Sequence, residues 1–392
     1  MRLRRPDGST VHVGYCTNVH PATDLDGILA QLRRYAVPVR AALGCEVLGV
    51  GLWLAAPVAA ALADDLAHVR RLRGELARLG LEVVTLNAFP YGEFHSPVVK
   101  KAVYHPDWTE ASRLEHTLAC ARVLQALLPD DVATGSVSTL PLAWRSPWDD
   151  DRRASARDHV AGLARGLADL AGRGPRVTVG FEPEPGCVWE VLDDVLSGPE
   201  QLAGLLSAEH LRDGLVGVCL DTCHSAVGFD DLADVGARVA RSPLGVAKLQ
   251  ASAALHVPSP GDPASRRLLA DFDEPRFLHQ TREQPAGPAD RPQGTDDLGE
   301  ALAGGLPGRA PWRCHVHLPL HAAGAGANPG RDRRPACRAG PARRPGRRGR
   351  RPRGGRDVHL VGAAAGAAPA RRGRCDLVRR PGRRRPGRRP GP

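Results

Sequence analysis

Four short stretches of this chain carry side chains able to hold a cation and move a proton. They are Glu182 in FEPEPG, Asp221 and His224 in LDTCH, Lys248 and Gln250 in KLQAS, and His315 and His317 in CHVHLPLH. Carboxylate and amide oxygens together with imidazole suit a divalent metal ion such as Mn²⁺, Mg²⁺, Co²⁺ or Zn²⁺. Such an ion polarises a carbonyl–hydroxyl pair while a carboxylate exchanges a proton with it. Each stretch also has a purely structural reading. Glu182 and Asp221 are suited to capping a following helix, and His224 to a hydrogen-bonded place in the core. Independent capping does not explain why Gln250 and a His-x-His pair recur at two further strand ends. His315 and His317 are two residues apart, so on a strand they face the same side. Cys223 has no base pattern around it that would make it a nucleophile.

The elements that position these residues are legible as an alternation. Apolar runs with strand character lie at Val11–Tyr15, Val47–Leu54, Leu81–Leu86, Ala133–Ser138, Arg176–Phe181, Leu215–Leu220, Gly245–Gln250 and Trp312–Leu318. Helical periodicity fills most of the gaps: Asp24–Leu43 after Thr23, Val58–Leu79 after Pro57, Glu110–Leu128 after Thr109, then Arg153–Leu170 and Val188–Leu206. Continuous apolar strands alternating with helices predict a parallel sheet covered on both faces. The number of units favours a (β/α)8 TIM barrel, an α/β fold, over an open sheet. Neither GxGxxG nor GxxxxGK[ST] follows the first strand, which weakens nucleotide-binding readings. In a barrel the C-terminal strand ends converge on one mouth and carry the active site. The ends CTNVHP, LNAFPYGEFH and KLQAS therefore place Asn18, His20, Asn87, Tyr91, His95 and Lys248 there as candidate substrate contacts. The Pro-rich segment 270–310 is expected to be a surface insertion or lid of the domain spanning 1–322.

Charge divides the 392-residue chain in two. The formal net charge is +11, yet residues 323–392 hold 22 Arg against three Asp, so the body is acidic. All 16 aromatic residues precede residue 313. Nine scattered Cys without CxxC pairs read as reduced thiols of a cytoplasmic protein. The N-terminus lacks the apolar segment of a signal peptide. The longest apolar run, Val47–Ala63, contains Gly49, Gly51 and Pro57 and stops at Asp64. It is shorter than the roughly 20 residues that span a bilayer, so no membrane insertion is expected.

The tail PARRPGRRGRRPRGG is expected to be disordered and out of frame. Only three basic residues of the chain are Lys, which with abundant Arg, Ala, Gly and Pro marks a GC-rich gene. Shifting the frame by one base allows Gly354–Ala363 to encode E-V-E-T-Y-T-W-S-V-L, a β-prone segment, where the given text is GGRDVHLVGA. Read as an evolved arm, the tail would bind nucleic acid through phosphate neutralisation. It has no aromatic platform and no Lys, which makes nucleic acid an unfavoured partner.

DTCH after an apolar strand, preceded by strand–EPEPG and followed by strand–Lys-x-Gln, resembles the xylose isomerase-like TIM-barrel superfamily. That superfamily includes sugar isomerases, epimerases and apurinic (AP) endonucleases of family 2. GYCTNVHP, TLNAFPYGEFH, VYHPDWT, STLPLAWR, FEPEPGC, FDEPRFLHQ and HVHLPLH resemble, in order, the metabolite traffic (EboE) family encoded in ebo clusters. The resemblance spans residues 10–321. It implies metal ligation by Glu182, Asp221 and Gln250, with Glu182 also exchanging protons and His224 contacting substrate. The fourth ligand, a Glu on the closing strand, has no counterpart, so the last barrel strand is expected to be lost; His317 is the candidate substitute. The implied function is isomerase- or epimerase-type chemistry on, or binding of, a small sugar-like metabolite destined for export, alongside export-pathway proteins. An AP endonuclease-like activity is the alternative, against which the acidic body counts. A non-catalytic carrier is the third.

Overall fold

In the computed structural model of the chain, residues 1–92, 97–287, 290–318, 320 and 358–363 are described. A short β1 (Arg2–Arg4) runs antiparallel to β2 (Thr10–Cys16). The parallel series continues with β3 (Leu48–Trp53), β4 (Leu81–Asn87), β5 (Thr134–Thr139), β6 (Arg176–Phe181), β7 (Val216–Asp221) and β8 (Val246–Ala251). A second, antiparallel sheet follows: β9 (Ala253–Val257), β10 (Thr281–Glu283), β11 (Gln293–Thr295) and β12 (Trp312–Leu318), in the order β11-β10-β12-β9. Finally β13 (Val358–Ala363) lies between β8 and β2, parallel to both. Because β2 also pairs with β3, the eight strands β2–β8 and β13 close into a (β/α)8 barrel.

One expectation is corrected here. The closing strand is not lost, since Val358–Ala363 fills that slot as the chain stands. Strand pairing uses backbone groups common to all residues, and VHLVGA is a stretch of the tail without Arg or Pro to interrupt a central ladder. It carries no carboxylate, so the fourth acidic ligand is absent from this strand all the same. Trp312–Leu318, which reads like a barrel stave, pairs instead with β9 and β10. The expected disorder of the remaining tail falls outside the described residues.

Every residue of β3, β4 and β7 is buried, as in strands covered on both faces. The long helices Ala111–Leu127 and Asp150–Ala171 lie against this sheet with Leu124, Leu127, Leu163 and Leu167 buried. The first helical region begins one residue later than Thr23 implied: Asp24 accepts from the Gly27 N–H at 2.7 Å. Thr109 likewise does not cap the helix that follows it, because its hydroxyl donates to Asp107.

The path from β8 into β9 is interrupted by a single residue, Ser252, so the antiparallel sheet springs directly from the barrel mouth. It has a core of its own around Leu255, Leu269, Leu298 and Trp312. Residues 270–310 supply β10 and β11 to it and bury Gln280, Thr281 and Arg282. Among the described residues no helix is long and apolar enough to cross a membrane.

Candidate metal and proton-transfer site

Glu182 is the first residue after β6 and Asp221 the last of β7, so neighbouring staves deliver both carboxylates to one end of the barrel. Both are buried. Gln250, on β8 opposite Asp221 in the ladder, bridges them: its amide Nε2 donates to Glu182 Oε1 at 2.6 Å and to Asp221 Oδ2 at 3.2 Å. Burial, and then the charge of Asp221, raises the Glu182 pKa well above the usual carboxylate range. Burial works against ionisation of Asp221 as well. There it is outweighed by His224 and His317 and by hydrogen bonds from the Ser252 hydroxyl and the His224 N–H, which hold its pKa low. The two carboxyls are thus moved in opposite directions by their surroundings, Glu182 up and Asp221 down.

Asp221 also caps the Thr222–Val227 helix. Its Oδ1 accepts from the Cys223 and His224 N–H groups and from the Ser252 hydroxyl, at 2.7, 3.2 and 2.7 Å. The capping reading of this residue therefore holds on Oδ1, while Oδ2 faces Gln250. His224 turns its Nδ1 to the Pro183 carbonyl at 3.0 Å. A carbonyl only accepts, so Nδ1 carries the hydrogen and Nε2 keeps its lone pair. Burial lowers the His224 pKa to about 4 despite the neighbouring Asp221.

The antiparallel sheet brings β12 over this cluster. His315 packs edge-on to His224 with ring centroids 4.6 Å apart, and His315 Nε2 lies 3.0 Å from His317 Nε2. Burial and the adjacent His224 and His317 push the His315 pKa well down. Gln280 orients His315: its Nε2 donates to the Pro185 carbonyl and the Tyr104 hydroxyl at 2.9 and 2.8 Å, which turns its Oε1 to His315 Nδ1 at 2.7 Å. Glu184 completes the chain, accepting from Tyr104 at 2.6 Å. Burial pushes its pKa up to about 8, with the Tyr104 bond opposing and Asp221 adding to the rise.

The other sequence candidates are distributed more widely. Lys248 is buried inside the barrel, donating to Leu86 O at 3.2 Å and Ser138 Oγ at 2.9 Å, and its charge opposes the rise at Glu182. Asn87 Oδ1 accepts from the Phe89 N–H and from the same Ser138 hydroxyl. Asn18 holds a buried Oδ1 with no hydrogen-bond partner among the described residues. His20 stacks on Tyr35 at 3.8 Å and hydrogen-bonds Tyr15. Tyr91 packs edge-on to His116, on the helix Ala111–Leu127. His95 lies outside the described residues. Sequence reasoning missed Glu184, Tyr104, Gln280 and Ser252. Glu184 stands in the quoted FEPEPG, two residues from Glu182, and Tyr104, Gln280 and Ser252 stand in the quoted VYHPDWT, FDEPRFLHQ and KLQAS, where nothing in the spacing marks them as site residues.

The donor set fits a divalent ion on its own terms. Three groups bring ligand atoms within 4.8 Å of one another: Asp221–His224–His317, Glu184–His224–His315 and Cys223–His315–His317. His317 Nδ1 is buried without a hydrogen-bond partner among the described residues, a condition that a ligand nitrogen satisfies by binding a cation.

No family model matches the sequence, and no curated protein sequence matches it. Solved structures do align with it. An AP endonuclease of family 2 from Brucella melitensis is 17% identical with a TM-score of 0.38, covering 62% of this chain and 79% of that one. The IolI protein with a bound zinc atom is 10% identical with a TM-score of 0.38, covering 62% and 73%. A xylose isomerase domain protein from Planctomyces limnophilus is 12% identical with a TM-score of 0.36, covering 62% and 74%. These neighbours are xylose isomerase-like and AP endonuclease family 2 proteins. A likeness this distant carries no residue role across to the present chain.

Proposed function

We propose that this protein is a divalent-metal-dependent barrel that shifts a proton on a small polyhydroxylated carbonyl metabolite, in the manner of an isomerase or epimerase. The observation carrying the reading is the buried Glu182–Asp221 pair, bridged by Gln250 at the barrel mouth, with the two pKa values moved in opposite directions. A divalent ion bound beside the pair would polarise the substrate's carbonyl and hydroxyl oxygens. Glu182 exchanges the proton at the hydroxyl-bearing carbon next to the carbonyl, its pKa raised above the usual carboxylate range by burial. Asn18 Oδ1, without a hydrogen-bond partner among the described residues, offers an acceptor for a substrate hydroxyl. The resemblance to the metabolite traffic (EboE) family supports a metabolite destined for export as the substrate.

The test is proton exchange. The protein, reconstituted in turn with Mn²⁺, Mg²⁺, Co²⁺ and Zn²⁺, is incubated in D2O with aldoses, ketoses and cyclic polyol ketones and followed by NMR. Deuterium is expected at the carbon adjacent to a carbonyl, and Glu182→Gln is expected to slow it at least 100-fold. Metal-loaded protein that binds such a compound without exchanging any hydrogen would replace the enzyme with a carrier.

A further inference from the structure

We propose that the metal ligands are Asp221, His224 and His317, so that the ion sits in the seam between the barrel mouth and the antiparallel sheet. This rests on the metal-dependent reading above but departs from its expected ligand set, in which Glu182 and Gln250 also bind the ion.

Hydrogen-bond bookkeeping selects the atoms. Asp221 Oδ1 already takes three donors, whereas Oδ2 takes only the long bond from Gln250, so Oδ2 has room for a cation. His224 donates from Nδ1 to Pro183, leaving Nε2 as the lone-pair nitrogen. For His317 the argument passes through three residues. The Pro185 carbonyl fixes the Gln280 amide, which makes His315 Nδ1 the donor to Gln280 Oε1. His315 Nε2 is then an acceptor, and the nitrogen facing it at 3.0 Å, His317 Nε2, must donate. The remaining nitrogen, His317 Nδ1, holds a buried lone pair with no hydrogen-bond partner among the described residues. Each of the three residues has a potential ligand atom within 4.8 Å of one on each of the others. Outer hydrogen bonds of this kind are what orient ligating histidines in metalloproteins.

The competing groups are less suited. Glu184 Oε1 already accepts from Tyr104, and both nitrogens of His315 are engaged by Gln280 and His317. Cys223 would have to lose its thiol proton in a fully buried position. The barrel acids make a poor cage as they stand, because the Gln250 amide hydrogens, not its oxygen, face both carboxylates. Two imidazoles and one carboxylate leave positions open for substrate and suit Zn²⁺, Co²⁺ or Fe²⁺ over Mg²⁺.

The experiment is Co²⁺ titration of the full chain after chelator treatment, read by visible absorption. One Co²⁺ is expected to bind, with bands displaced by stoichiometric Zn²⁺ and not by millimolar Mg²⁺. His224→Ala and His317→Ala should each weaken binding at least 100-fold, and Glu182→Gln and Gln250→Ala less than 10-fold. His317→Asn, whose thermal unfolding in chelator is compared with wild type, keeps the test open if the alanine variant fails to fold. Wild-type affinity in the His317 variants together with loss in Glu182→Gln would overturn this ligand set and leave metal dependence standing. A wild-type protein that binds no divalent ion would overturn both.

Discussion

Tyr104, in the connection after β4, donates a hydrogen bond of 2.6 Å to Glu184, which follows β6. Both are buried, and burial lifts the Glu184 pKa to about 8. A carboxyl whose folded pKa exceeds its unfolded value binds more protons when native, so it favours folding at low pH. Its contribution is complete below the ordinary Glu value of about 4.3. It falls as pH rises and is gone near pH 8. Glu184→Gln should therefore flatten the decline in stability between pH 5 and 8, an effect of a few kcal/mol in order of magnitude. Denaturant unfolding at four pH values checks it; parallel curves for variant and wild type would refute it.

Gln250 separates two acids that would otherwise face each other. Gln250→Glu adds a third carboxylate to a buried pair and is expected to cost about 2–4 kcal/mol in chelator. Part of that loss should return on adding Zn²⁺ or Mn²⁺, since a cation offsets the added charge. Unfolding midpoints with and without metal decide it, and a variant as stable as wild type in chelator would count against the buried acid cluster.

Legibility followed the physics of each element. Glu182, Asp221 and Gln250 could be placed because a continuous apolar run ending in a polar residue is what a barrel stave looks like in one dimension. Trp312–Leu318 has the same appearance yet joins the antiparallel sheet, because apolar runs say that a strand is buried and not which neighbours it takes. The facing of His315 and His317 was readable from their two-residue spacing; their arrival over His224 depends on the whole segment from Ser252 onward. Gln280 and Tyr104 stand in quoted motifs, but their roles were not readable, since the hydrogen bonds that give them meaning join residues far apart in the chain. The closing strand was misjudged because composition spoke louder than the six residues that matter to the ladder.

Arg282, on β10, pairs with Glu190 in the loop after β6, and its side chain is 4% exposed. It also donates to the Thr295 carbonyl on β11 at 2.8 Å. Breaking a buried pair from one side leaves an uncompensated charge, so Arg282→Met should cost about 3–5 kcal/mol. It should also speed proteolysis within residues 270–310. Unchanged cleavage would mean that this pair does not hold the second sheet against the barrel loop.

Gly186 closes the FEPEPG motif with φ of +93°, and a Cβ there would meet Trp144 at 2.3 Å. Gly186→Ala combines left-handed strain with a clash and should destabilise by at least about 2 kcal/mol. Equilibrium unfolding measures it; a loss under about 0.5 kcal/mol would show that the loop yields freely.

The barrel is sealed by a ladder that pairs Val11 with Val358, two segments far apart in sequence. During translation β2 leaves the ribosome long before the partner that closes the ring beside it. Through that interval both β2 and β8 present unpaired backbone edges, the kind that recruit other chains. Asp221 and Gln250 can occupy neighbouring staves long before the ring is shut. The charged mouth can thus be assembled on an open sheet, and its final shape waits for β13.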